Sequence, residues 1–168
     1  SDQAISAFRD VVAINPNDST AHLLLGRALS DNSRWDEAET ALREAIRLNP
    51  RIAEAHNRVG NLLVKKGDLV GAEDAYRTAI RIDPNYGIAH YNLGTILSNS
   101  GEWDEAETAL REAIRLNPRA LPAYTNLGIV LAKQGDLDGA EEAHRTAIRT
   151  DPKDAAAYNA LGGFLCDH

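Results

Sequence analysis

Small and large apolar residues return along this chain at helical spacing. Ala38, Ala41, Leu42, Ala45, Ile46 and Leu48 recur at three- and four-residue steps, which places them on one face of a helix. The pattern then stops at Asn49-Pro50, because proline disfavours a helical residue before it. The same pattern restarts every 34 residues. Proline recurs at Pro16, Pro50, Pro84, Pro118 and Pro152, and glycine at Gly26, Gly60, Gly94, Gly128 and Gly162. Alanine recurs at Ala4, Ala38, Ala72, Ala106 and Ala140, and a large apolar residue at Leu25, Val59, Leu93, Leu127 and Leu161. A longer 68-residue alternation lies over this period: WDEAETALREAIRLNPR occurs unchanged at 35–51 and at 103–119. A fixed period of this size means stacked repeats, each one a supersecondary unit that buries its apolar face against its neighbours.

Two kinds of helix follow from the pattern. Helices of a second type are expected at 2–14, 36–48, 70–82, 104–116 and 138–150. Helices of a first type are expected at 20–31, 54–66, 88–99, 122–134 and 155–165, with Pro122 tolerated in a first turn. Gly67, Gly101 and Gly135 stand where a first-type helix must turn. Asp36, Glu37, Asp104 and Glu105 load the starts of second-type helices with acid, and Arg43 and Arg47 load a C-terminal half with base, in the sense the helix dipole favours. Glu39 and Arg43 form an i,i+4 pair.

These residues resemble the tetratricopeptide repeat family, whose first helix carries a ring residue and Leu-Gly, and whose second carries Ala, a large residue, Ala and a closing Pro. The ring position is His22, His56, His90, Tyr124 and Tyr158; the large position is Phe8, Leu42, Tyr76, Leu110 and His144. The resemblance covers the whole chain. It implies an all-α, right-handed superhelical solenoid of antiparallel helix pairs with a concave groove. The expected organisation is a single domain over 1–168. It has a half repeat at 1–18, complete repeats at 19–52, 53–86, 87–120 and 121–154, and a half repeat at 155–168.

Composition narrows the function. The 168-residue chain carries a net charge of −7, which argues against non-specific nucleic-acid binding, since that needs clustered cations. No apolar run approaches ~18 residues, so no membrane span is expected. A signal peptide is not visible at Ser1. The one cysteine, Cys166, forms no internal disulfide and fits a reducing, cytoplasmic setting. The chain has no Met and begins inside a repeat, so it reads as a processed or excised piece of a longer protein.

Nothing in the motifs points to catalysis, and no cofactor is expected. HExxH, a glycine-rich phosphate loop and CxxC are all missing. His22, His56 and His90 step by 34, but they hold the ring position of neighbouring repeats and read as packed core rings rather than ligands of one metal ion. Trp35 and Trp103 read as packing across the turn. Cys166 has no base beside it and reads as incidental.

The resemblance directs attention to the groove, which the family lines with its first-type helices. The candidate binding residues are Arg27, Asn57, Arg58, Asn61, Tyr91, Asn92, Thr95, Asn126, Ile129 and Lys133. Inward positions carry Arg27, Arg58, Lys65 and Lys133 against Asp31, Glu54 and Asp167, so the groove is amide-rich and close to neutral in an acidic chain. Side-chain amides both donate and accept, so Asn57, Asn61, Asn92 and Asn126 suit a peptide backbone of any sequence. Arg58 and Lys133 suit acidic groups, and Tyr91 and Ile129 an apolar side chain. The carboxylate clamp of chaperone adaptors matches only at Asn61 and Asn92, with its cations missing. Asn92 and Asn126 are similar to the asparagine ladder in the repeat arm of the O-linked N-acetylglucosamine transferases; Arg58 and Ala160 break it.

The expected function is therefore a non-catalytic protein-interaction module that binds an extended peptide or partner segment. One alternative is a scaffold of copies stacked head to tail through the two half repeats, since the last helix, AAAYNALGGFL, is nearly apolar. Another is a substrate-recognition arm of a glycosyltransferase. Recent duplication explains the identical blocks, and so does design.

Overall fold

The computed structural model describes residues 1–167; His168, the last position of the expected closing half repeat, lies outside the described residues. Among the described residues there are ten α-helices and no strand. They are α1 (Asp2–Ile14), α2 (Ser19–Asp31), α3 (Trp35–Leu48), α4 (Ala53–Lys66), α5 (Leu69–Ile82), α6 (Gly87–Ser100), α7 (Trp103–Leu116), α8 (Leu121–Gln134), α9 (Leu137–Thr150) and α10 (Ala155–Asp167). Odd-numbered helices are of the second type and even-numbered ones of the first. Most begin a residue before the expected start, because the capping residue sits one place earlier. Asp18 Oδ1 accepts from the backbone N–H groups of Thr20 (2.9 Å) and Ala21 (3.1 Å), so α2 opens at Ser19.

The chain forms two compact units, Ser1–Pro84 and Asn85–His168. In the first, α1 packs on α2, α2 pairs with α3, and α4 pairs with α5; α3 and α2 both touch α4. In the second, α6 pairs with α7 and α8 with α9; α7 and α6 touch α8, and α10 closes on α9 and α8.

Close approach within each pair rests on one glycine. A Cβ built at Gly26 would lie 2.6 Å from Leu42 Cγ; at Gly60, 2.5 Å from Tyr76 Cε1; at Gly94, 2.7 Å from Leu110 Cγ; at Gly128, 2.6 Å from His144 Cε1. The glycine of the first-type helix is thus a socket for the large residue of the second. Leu42 and Leu110 are fully buried, and Ala38, Ala45, Ala106 and Ala113 flank them with almost no exposed surface. His144 is equally buried, its ring centroid 5.6 Å from that of Phe164, and its Nδ1 has no hydrogen-bond partner. Burial disfavours the imidazolium and pushes the His144 pKa down.

The ring position corrects one expectation. His22 and His56 are half-buried rather than core, and their Nε2 atoms meet the carbonyl oxygens of Pro16 (2.9 Å) and Pro50 (3.0 Å). A carbonyl only accepts, so Nε2 carries the proton and donates. Tyr124 makes the same bond to the Pro118 carbonyl at 3.3 Å. At these three positions the ring ties its first-type helix to the proline turn six residues earlier. Trp103 packs over its turn, its Cζ2 3.7 Å from a Cβ built at Gly101.

Gly67, Gly101 and Gly135 end their helices with φ of 82°, 81° and 88°. The equivalent residue of the first turn is Ser33, at φ 59°. A Cβ in this left-handed region costs about 1–2 kcal/mol. Glycine there loosens the unfolded chain by about 0.4–1 kcal/mol. The strain outweighs the added freedom, so Ser33→Gly is expected to stabilise the first unit by roughly 0.5 kcal/mol in urea denaturation.

Candidate functional site: the first-type helix face

In the first unit this face is made by α2 and α4. Arg27 is exposed on α2. Asn57 departs from its expected role: it is 3% exposed, so its amide is packed inside and not presented to a partner. Arg58 is committed to Glu54, Nε to Oε1 2.7 Å, one turn away on the same helix. The guanidinium expected to grip acidic groups is thus already neutralised. Asn61 accepts the phenol proton of Tyr76 at 2.7 Å. Burial of that tyrosine pushes its pKa up to about 12, so it stays a donor at any physiological pH. Asn61 therefore braces α4 against α5.

In the second unit the face is made by α6 and α8, with α10 beyond α8. Thr95 Oγ1 donates to the Tyr91 carbonyl at 2.9 Å. Its one proton is spent there, so Thr95 accepts from Asn126 Nδ2 at 3.0 Å, which fixes the orientation of the Asn126 amide. Asn92 is half-buried on α6. Along α8, Ile129 is 45% exposed and Lys133 is also exposed. Tyr91, Thr95 and Asn126 are thus brought together by one hydrogen-bond chain that links α6 to α8.

Beside this network lies a cleft of 460 Å³. Ile88 and Tyr91 of α6, Ala113 and Leu116 of α7, and Ala120, Pro122 and Ala123 at the start of α8 form its walls, with Asn85 and Asn117 at its edge. No carboxylate, imidazole, ammonium or guanidinium is among its lining residues. Ile88 stands 58% exposed at its side. Ile88, Leu116, Asn117 and Pro122 are not among the binding residues expected from the sequence. One signal was readable: positions 19, 53, 121 and 155 are Ser, Ala, Leu and Ala, whereas 87 is Gly. A Cβ at Gly87 would lie 3.2 Å from Leu116 Cβ and crowd the cleft wall.

The chemistry available here is apolar burial flanked by amide and hydroxyl groups. Among the described residues no group of three His, Cys, Asp or Glu could hold a metal ion, and no helix is long and apolar enough to cross a membrane.

Repeated helix pairs with a glycine socket, a ring tie and a closing proline define a tetratricopeptide-repeat protein. Over residues 1–161 the sequence matches the family described as the cilia and flagella-associated protein 70 C-terminal domain, and the chain belongs to this family of tetratricopeptide-repeat domains. Among solved structures it is similar to MamA, with 28% identity over 92% of this chain and 91% of that one, and a TM-score of 0.80. It is also similar to YrrB, described as a TPR protein with an unusual peptide-binding site: 27% identity, 97% of this chain, 84% of that one, TM-score 0.84. A thermophilic TPR protein of Thermus thermophilus, TTC0263, shares the fold at 23% identity, over 98% of this chain and 90% of that one, with a TM-score of 0.75. No curated protein matches the chain significantly.

Proposed function

We propose that the chain is a non-catalytic interaction module whose second unit binds an extended peptide segment across α6 and α8. One apolar side chain of the peptide enters the cleft beside Ile88, Tyr91 and Leu116. The Asn92 and Asn126 amides then meet the peptide backbone. The observation that carries this reading is the uncharged 460 Å³ cleft beside the Tyr91–Thr95–Asn126 chain. Its size falls within the range of roughly 300–1,000 Å³ common to ligand sites. The likeness to YrrB, a TPR protein with a peptide-binding site by its description, supports it.

Magnitudes bound the affinity. A buried Leu or Phe side chain contributes about 1.5–3 kcal/mol. Each backbone hydrogen bond adds about 0.5–1.5 kcal/mol net. Ordering the peptide offsets several of these, so a dissociation constant on the order of 10–100 μM is expected.

The test is fluorescence anisotropy on peptides selected from a random array. Selected peptides should share an apolar residue at one position. Asn92→Ala combined with Asn126→Ala should weaken binding about tenfold, the equivalent of ~1.4 kcal/mol, with the helical circular dichroism unchanged. Equal affinity in the double variant sinks the role of the two asparagines. Selection of peptides with no common apolar position sinks the role of the cleft.

A further inference from the structure

Charge is distributed unevenly over the second unit. From Asn85 to His168 the sequence holds seven Lys and Arg against twelve Asp and Glu, a net of −5. Across α6 and α8 it holds a single such residue, Lys133. The other helices satisfy their cations internally. Each arginine of α7 and α9 is held by a glutamate of its own helix at 2.6–2.7 Å: Arg111 by Glu107, Arg115 by Glu112, Arg145 by Glu141 and Arg149 by Glu142. The Lys133 ammonium is exposed and, among the described residues, has no ion pair or hydrogen bond. Acids at this end of α8 are engaged elsewhere. Asp136 Oδ1 accepts from the Gly139 N–H at 3.0 Å, and Asp104 Oδ1 accepts from Gln134 Nε2 at 2.9 Å. Asp167 holds the equivalent place on α10, yet no ion pair joins it to Lys133 among the described residues.

The position of this lysine is as informative as its charge. Pro122, Asn126, Ile129 and Lys133 step by four, three and four residues, which sets them along one stripe of α8. Pro122 stands at the apolar cleft, and Asn126 is held in the hydrogen-bond chain to Thr95. At ~1.5 Å of rise per residue, Lys133 lies about 16 Å along the helix from Pro122. An extended peptide covers that span in about five residues.

We infer that the peptide bound across α6 and α8 carries an Asp or Glu about five residues from its apolar anchor, and that Lys133 pairs with that carboxylate. This rests on the peptide-binding reading above and adds which peptides are chosen. A carboxylate at another spacing meets only the repulsion of an acidic unit, so one cation on an otherwise uncharged face selects by place as well as by sign. The pair is exposed to water, so its effect is modest, about threefold in affinity. A lysine in a last turn also suits the helix dipole, but that role is blind to what the peptide carries.

Fluorescence anisotropy on short Ala/Ser peptides tests this. Each carries one leucine and one glutamate set ~2 to ~8 residues apart, in either order. All share the same N-terminal fluorophore and a C-terminal amide, so the side-chain carboxylate is the one that varies. Affinity should peak at a separation of ~5 residues, about threefold above the peptide with glutamine in place of glutamate at low salt, and the gap should close at ~0.5 M salt. Lys133→Gln should abolish the gap, and Lys133→Glu should shift the preference to a lysine in the glutamate's place. Helical circular dichroism checks that both variants fold. Equal binding of the glutamate and glutamine peptides at every separation overturns the inference and leaves binding by the cleft and the amides standing. A gap that persists in Lys133→Gln overturns it too, by placing the carboxylate at a different cation. No binding by any peptide of either kind overturns both this inference and the function it rests on.

Discussion

Leu110→Ala is expected to lower the unfolding free energy of the second unit by about 3 kcal/mol, within the ~2–5 kcal/mol span for large-to-small changes in a core. Leu110 is fully buried. A Cβ built at Gly94 would stand 2.7 Å from its Cγ and 3.2 Å from the Ala106 carbonyl oxygen. One wall of the cavity left behind is therefore the backbone of α6 at Gly94. Backbone held in two paired helices cannot move in to refill it, so the cost includes the cavity as well as the lost transfer energy. The chain supplies its own control. Leu42 lies in the identical seventeen-residue block, is also 0% exposed, and faces Gly26 at 2.6 Å. Leu42→Ala should therefore cost the first unit about as much, within ~1 kcal/mol. Repeat arrays need not unfold in one step, so each unit wants its own reporter. Trp35 and Trp103 serve, one in each unit, after the other is replaced by Phe. Urea denaturation that shows less than about 1 kcal/mol for either variant would mean that the sockets do not hold the pairs together.

The second large effect is acid lability of the second unit. His144 is buried, and one ring nitrogen lacks a partner. Its folded pKa lies below the ordinary value of 6.5. The unfolded chain therefore binds the proton first as pH falls. Stability from the neutral ring is fully present above pH 6.5 and is lost as the pH drops from there through the folded pKa. The carboxylates of Glu44, Glu112 and Glu142, beside Arg47, Arg115 and Arg149, also lie below their ordinary value of 4.5. Their contribution is lost only below that value, which leaves the window between pH 6.5 and 4.5 to the imidazole. His144→Leu places there the residue found at 42 and 110. It should raise stability at pH 7 by roughly 1–2 kcal/mol, since a buried unsatisfied nitrogen is removed. It should also flatten the pH dependence in that window. A variant that keeps the parent's acid slope would place the titrating group elsewhere.

Helix positions were legible because small, large and proline residues repeat in register, and each has a mechanical reason to do so. The socket glycines could be named from the sequence, and so could the large residues that fill four of them. The site was legible only in part. Asn57 and Arg58 stand at inward-facing positions of the repeat, but position alone does not reveal that Asn57 is enclosed or that Glu54 holds Arg58 at 2.7 Å. The cleft escaped notice because its walls come from three helices and a loop, with side chains that look ordinary one by one. The lone clue was Gly87, which reads as a weak helix start until Leu116 is seen against it. The histidine ties hid for a similar reason. A six-residue step back to a proline carbonyl is a backbone contact, and periodicity of side chains does not display it.

The most direct test of the central claim is an amide chemical-shift map of the isotope-labelled chain titrated with an array-selected peptide. Peptide binding across α6 and α8 predicts saturable shifts that cluster at Ile88, Tyr91, Asn92, Thr95, Asn126 and Ile129, with α3, α5 and α9 quiet. Saturable shifts confined to the second-type helices, or none at any peptide concentration, would contradict it.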